Sequence, residues 1–277
     1  MDATGLTVAM ITEVFHDDPE GRRLTARLRV ARAAGAGLAV LPELPLDPWV
    51  PIAKTPSDRD AEEPGGPRHA TMSASASAVG IALLGGAIVR DPETGRRHNT
   101  ALLFGSDGSL LASYRKVHLP YERDFWEAAH YASGGEPPQV MPGLGLPIGV
   151  QICSDANRTS GCHLLAAQGA SAVLVPRATP EASWPRWRLV LRADAVTSGV
   201  WLVSVNRPPL DPSDSPIGGP SVAIAPDGEV VRETTAPLAI VRLDASAVTR
   251  ARQDYPAYLD HHPEVHARGW RRLTVED

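Results

Sequence analysis

Cys153 stands directly after the apolar run Ile148 to Ile152, with Ser154, Asp155, Asn157 and Arg158 crowded behind it and a helix-like stretch, Gly161 to Gln168, beyond. A sulfur on a tight strand-to-helix turn is exposed for attack on an electrophilic carbon. Taken alone, a cysteine in such a place is more often a small buried hydrophobe. The polar crowd sets Cys153 apart from Cys162, which lies beside Gly161 and Leu164 and reads as packing. A thiol with an ordinary pKa of about 8.5 needs a base or a cation beside it to attack near neutral pH. Glu43 and Lys116 offer both. Glu43 sits in Pro42-Glu43-Leu44-Pro45 after an apolar strand, where an unpaired carboxylate is costly to bury, and Lys116 follows Tyr114-Arg115 and precedes Val117-His118-Leu119-Pro120. Each has a plainer reading, as a solvated loop carboxylate and a solvated edge-strand lysine.

These residues need a scaffold, and the chain supplies alternating strands and helices. Leu6 to Ile11, Leu38 to Leu41, Ile81 to Val89, Ala101 to Phe104, Ile148 to Ile152, Ala172 to Val175, Val200 to Val205 and Val222 to Ala225 read as strands. Leu24, Leu28 and Ala31 share one helical stripe, and Trp184, Trp187, Leu191 and Ala195 another. An internal echo organises them. Gly35 to Glu43 aligns ungapped with Gly169 to Arg177, and Ala101 to Gly108 aligns with Ser221 to Gly228, both closed by an Asp-Gly turn. The chain therefore reads as two similar α/β halves, roughly residues 5 to 115 and 147 to 243. Two packed sheets with helices outside give an α-β-β-α sandwich, whose strands are buried on both faces. Glu43, Arg177 and the residues after Ile152 then lie just past strand ends, where α/β proteins place reactive groups.

Three motifs together, Leu41-Pro42-Glu43-Leu44, Tyr114 to Pro120 and Gly149-Val150-Gln151-Ile152-Cys153-Ser154-Asp155, resemble the nitrilase, or carbon-nitrogen hydrolase, superfamily, and the order Glu, Lys, Cys is also the family's. The resemblance covers most of the chain, to about residue 243. It implies a four-layer α-β-β-α fold and a triad in which Glu43 moves protons, Cys153 attacks and Lys116 holds the oxyanion, with the Ser154 N–H as a second donor. It also implies a second glutamate, for which the segment Phe125 to Gly134 points to Glu127, with Glu122 as the alternative. Residues shortly after the nucleophile line the pocket in this family, which makes Ser154, Asn157 and Arg158 candidate substrate contacts. No metal or cofactor is expected, and at least a homodimer is.

Ser133 and Gly135-Glu136 replace the commoner Pro-Gly-Asp ending, and Ala156-Asn157-Arg158-Thr159 follows the Cys-Ser-Asp core, so substrate identity does not transfer. The stretch from Lys116 to Tyr131 favours the amide-cleaving branches over true nitrilases. A small amide or N-carbamoyl compound is the expected substrate, and a catalytically silent scaffold the alternative from another class. Arg177 could clamp a substrate carboxylate or bridge to Glu181 or Asp155, and Arg158 has the same two readings. Trp126 and Trp184 read equally as pocket walls or core. Asp155 is expected to fix the elbow by local hydrogen bonds.

Composition closes off other classes. With 277 residues, 43% of them hydrophobic, one large domain is expected over 1–243, with 244–277 as a tail that packs at an oligomer interface. A formal charge of −5 with interspersed signs gives no basic stripe for nucleic acid. No apolar run approaches a membrane span, and no basic region precedes the first strand, so a cytoplasmic protein with two free thiols is expected. His261, His262 and His266 cluster with Glu264 but lack the zinc spacing, and read as a solvated tail.

Overall fold

The computed structural model describes residues 5–141, 144–209 and 216–273. Its first half runs β1 (Gly5–Ile11), α1 (Arg22–Ala33), β2 (Leu38–Val40), α2 (Pro67–Val79), β3 (Ala82–Arg90), β4 (Arg97–Phe104) and β5 (Leu110–Arg115). A connecting segment holds the short helix α3 (Glu127–His130). The second half runs β6 (Ile148–Val150), α4 (Ser160–Ala167), β7 (Ala172–Arg177), α5 (Trp184–Ser198), β8 (Trp201–Asn206), β9 (Ser221–Ile224) and β10 (Val230–Thr234). The chain then adds β11 (Leu238–Asp244), α6 (Ala245–Ala251) and α7 (Pro263–Leu273).

The echo in the sequence is a repeat in the winding. One sheet has the order β11-β1-β2-β3-β4-β5 and the other β10-β9-β8-β7-β6. In each half three strands run parallel and two more follow antiparallel. The aligned segments fall on β2 with β7 and on β4 with β9. The fold is the α-β-β-α sandwich that the two halves implied.

Alternation along the strands builds the layers. Ala9, Ile11, Ala39 and Leu83 turn toward Leu24 and Leu28 of α1 and Met72 and Ala76 of α2. Val8, Met10, Val40 and Leu84, on the opposite face, join a cluster with the second sheet, Leu165 of α4 and Leu191 of α5. Each fully buried Val or Leu contributes about 1.5–3 kcal/mol of transfer free energy. Across the sheets, Thr12 and Ser221 share a buried hydroxyl pair at 2.7 Å.

Several elements lack a strong pattern. α2 is mostly Ala and Ser; Pro67 in its first turn starts it and Gly80, at φ 70°, ends it. β5 and β10 are largely exposed strands after the Asp-Gly turns and mix apolar with polar residues. β11 pairs antiparallel with β1 and returns the chain to the first sheet. Packing continues beyond residue 243, because Val248 of α6 is buried in the main core and Arg252 donates to the Ala170 carbonyl. Among the described residues no helix is long and apolar enough to cross a membrane.

Candidate active site

Glu43, Lys116 and Glu127 meet in the interior. Glu43 follows β2 and is 1% exposed, Lys116 is the first residue past β5 and Glu127 opens α3, both wholly buried. The Lys116 Nζ lies 2.8 Å from Glu43 Oε1 and 2.7 and 2.6 Å from the two oxygens of Glu127. The backbone holds the lysine in place, its N–H donating to the Asn99 carbonyl at 2.9 Å and its carbonyl accepting from Gly134 at 2.8 Å. Asn99 Nδ2 also donates to Glu43 Oε1 at 2.7 Å, while Glu43 Oε2 is buried with no hydrogen-bond partner among the described residues. Of the two glutamates considered for the second carboxylate, Glu127 stands on the lysine and Glu122 is exposed.

Cys153 comes from the other sheet. It begins a 3-10 turn, Cys153–Asn157, separated from β6 by two residues, and its φ is 47°. A non-glycine residue in that region marks a strained turn held by its surroundings. Asp155 supplies the hold. Its carboxylate accepts from the Ile152 N–H at 3.2 Å, the Tyr114 hydroxyl at 2.9 Å, the His118 N–H at 2.8 Å and the Val117 N–H at 3.2 Å. One carboxylate thus ties the cysteine turn to the segment that carries Lys116. Ser154 Oγ adds a hydrogen bond to the His118 carbonyl at 2.5 Å.

Electrostatics follow from burial. Burial pushes the Cys153 thiol well above its ordinary value and the Glu43 charge adds to this, against the pull of the Lys116 ammonium, so the sulfur rests protonated. Burial works against the charge on Lys116, but Glu127 and Glu43 outweigh it and hold the ammonium well above the usual lysine range. Burial pushes Glu127 up to about 8 despite Lys116, with the Glu43 charge adding to the rise. A buried cation, a carboxylate with one unengaged oxygen and a protonated thiol within electrostatic reach can together carry out nucleophilic acyl transfer.

Arg177 is wholly buried at the end of β7 and its guanidinium is held by three hydrogen bonds. Its Nε donates to Ser204 Oγ at 3.0 Å, one terminal nitrogen to Thr179 Oγ1 and the other to the Pro220 carbonyl at 2.6 Å. The rings of Trp184 and Trp187 lie 5.0 and 5.5 Å from the guanidinium. It forms no ion pair with Glu181 or Asp155 among the described residues. The physical reason is its place on β7, paired with Asn206 of β8, where the guanidinium is enclosed and ties strand ends together. Burial lowers it to about 10, with Cys153 and Glu43 pulling the other way.

Asn157 and Arg158 are exposed at the end of the cysteine turn, and Ser154 is half-buried. Trp126 is half-buried at the start of α3, its ring 4.8 Å from Lys54 Nζ and edge-on to Tyr121. Trp184 donates to Glu233 at 2.8 Å. Two residues of the site escaped the sequence reading, Asn99 and Arg207. Asn99 is a polar residue within a buried strand, and Arg207 directly follows an apolar strand as Glu43 and Cys153 do, a signal masked by the Pro-rich stretch after it. No three His, Cys, Asp or Glu side chains group to hold a metal among the described residues, and His261, His262, Glu264 and His266 are exposed.

The chain is similar to known proteins over most of its length. The carbon-nitrogen hydrolase family matches residues 5–253. The chain is 28% identical to omega-amidase NIT2 of Homo sapiens over 258 residues, 88% of this chain and 90% of that one. The crystal structure of Saccharomyces cerevisiae Nit3, a member of branch 10 of the nitrilase superfamily, superposes with a TM-score of 0.79 at 25% identity, covering 91% of this chain and 95% of that one. An amidase from Nesterenkonia sp. superposes with a TM-score of 0.76 at 26% identity, covering 98% of each chain. One mutant of that amidase shows covalent addition of the acetamide moiety of fluoroacetamide at its active site cysteine. The protein belongs to the carbon-nitrogen hydrolase family, in the amidase-like branch of the nitrilase superfamily, and is a hydrolase of carbon-nitrogen bonds other than peptide bonds.

Proposed function

We propose that the chain hydrolyses a small linear amide or N-carbamoyl compound through a thioester on Cys153. The observation that carries this reading is the buried Lys116 held between Glu43 and Glu127, beside a thiol on a left-handed turn. Because the thiol rests protonated, attack needs a base, and the unengaged Oε2 of Glu43 suits that role. Sulfur adds to the carbonyl carbon as its proton passes to Glu43. The oxyanion is held by Lys116 and the Ser154 N–H, each such donor being worth about 3 kcal/mol. Glu43 then protonates the nitrogen, the C–N bond breaks and the amine or ammonia leaves. Water, deprotonated by Glu43, attacks the thioester, and the thiol recovers its proton as the acid departs. Glu127 orients Lys116.

Ser154, Asn157, Arg158 and Trp126 are our candidates for substrate contact, while Arg177 supports the site from within the second sheet. The omega-amidase relatives favour a terminal amide. Ammonia release across linear amides, N-carbamoyl amines and nitriles tests the reading, with turnover expected of amides or carbamoyl compounds in preference to nitriles. Turnover of nitriles alone would transfer the chain to nitrile hydrolysis, and none at all would favour a silent scaffold.

We assign a second copy of the chain to the C-terminal segment. α7 has no buried residue although it carries Val265, Trp270 and Leu273, and Tyr255 and Tyr258 before it are exposed as well. Light scattering is expected to give at least a dimer, and Trp270→Glu to raise the monomer fraction; a monomeric wild type would overturn the assignment. Two free thiols fit a reducing cytoplasm, where we place the protein.

A further inference from the structure

Glu43 is also held through its backbone, from the opposite sheet. Arg207, the first residue past β8, is wholly buried, yet its guanidinium reaches the loop that follows β2. One terminal nitrogen donates to the carbonyls of Glu43 and Leu44 at 3.0 and 2.6 Å, and the other donates to the Asp47 carbonyl at 2.9 Å. The Trp49 ring lies 5.7 Å from the same guanidinium. Leu44 has a φ of 48°, a conformation that costs a non-glycine residue about 1–2 kcal/mol and persists only where its surroundings enforce it. With β2 already ended, the carbonyls of Glu43 and Leu44 converge on one nitrogen of Arg207. A fixed fork of donors can span three carbonyls in this way, and a lysine ammonium, a single point of charge, cannot do so as rigidly.

We infer that Arg207 is a positioning residue for Glu43: its grip on the loop backbone fixes the glutamate between Lys116 and Cys153. The inference rests on reading Glu43 as the proton carrier. Arg207 acts through main-chain atoms and through the loop's shape, and nothing in its role requires contact with substrate. The loop is secured at a further point, where Arg68 of α2 meets the buried Asp47 carboxylate at 2.6 Å, while Arg207 supplies the side-chain grip on the Glu43 and Leu44 carbonyls.

The test uses full-length Arg207→Met and Arg207→Lys with two readouts. One is kcat and KM on the best amide, per active site titrated; the other is the rate constant for iodoacetamide alkylation of Cys153, with Cys162 as the internal control. Displacing a catalytic group by an ångström costs about a hundredfold in rate, so Arg207→Met should lower kcat by about 30- to 100-fold with KM changed by less than about threefold. Alkylation of Cys153 should slow about tenfold, a partial loss of base assistance that is worth about 10²–10⁴-fold when complete, while Cys162 is unaffected. Arg207→Lys should recover thermal stability more than kcat. A kcat and a Cys153 alkylation rate within about threefold of wild type in both variants would overturn the inference, as would a raised KM at unchanged kcat. If Arg207→Met does not fold, Arg207→Lys decides by the same measurements. If the wild type cleaves no amide, the proposed function fails, and alkylation alone still decides the role of Arg207.

Discussion

Replacing Cys153 with alanine is expected to lower amide turnover by about four orders of magnitude or more, the scale seen when a catalytic nucleophile is removed. The far-ultraviolet circular dichroism should not change. The turn around Cys153 is held by Asp155, through the N–H groups of Ile152, Val117 and His118 and the Tyr114 hydroxyl, and none of these bonds uses the sulfur. The variant should still bind substrate, because the residues around the site are untouched. Mass spectrometry of the wild type quenched during turnover should show an acyl adduct on the peptide that contains Cys153, and the alanine variant should show none. Retained hydrolysis in Cys153→Ala, or an adduct on Cys162, would remove the thioester mechanism.

Lys116→Met should damage both activity and stability. Methionine fills similar space but leaves Glu43 and Glu127 facing each other without the ammonium that lies within 2.8 Å of both. Loss of an oxyanion donor costs about 10²–10³ in kcat. Breaking a buried ion pair by removing one partner costs about 3–5 kcal/mol. The stability loss has a sign with pH. Glu127 is already raised from 4.5 to about 8, chiefly by burial, so the stability tied to its protonated form is present at low pH and disappears as pH rises through that range. Removing the cation favours the protonated carboxyl further. The Tm deficit of Lys116→Met relative to wild type should therefore be smaller at pH 5 than at pH 8. A deficit independent of pH would mean that the lysine serves packing rather than charge.

The fold was legible in the sequence where burial repeats. β2, and β7 up to its terminal Arg177, are apolar because both faces are covered, and their shared Gly-Ala lead-in exposed the two halves. α2 escaped because Ala and Ser carry little contrast, and β5 and β10 because each opens on two adjacent apolar residues, Leu110-Leu111 and Val230-Val231, that point to opposite faces and blur the alternation. Glu43, Lys116 and Cys153 could be singled out because they follow apolar strands in an order shared with a known family, whereas Glu127, which opens α3, came from that resemblance alone. The supports were harder to see. Asp155 lies two residues from Cys153 and was readable, whereas Arg207 meets the Glu43 loop from 164 positions away, and no local pattern carries that distance. Arg177 shows the converse: its alignment with Glu43 placed it correctly at a strand end, but its enclosure by Ser204, Thr179 and Pro220 depends on partners far along the chain.

Glu43 and Lys116 follow strands of one sheet and Cys153 follows a strand of the other. Neither sheet owns the site. A slight loosening of the two layers, too small to disturb the helices or the strand ladders, would part the thiol from the carboxylate proposed as its base. Catalysis is thus the most sensitive gauge of how the layers are seated, and heat, pressure or a mild denaturant should silence the protein well before it unfolds.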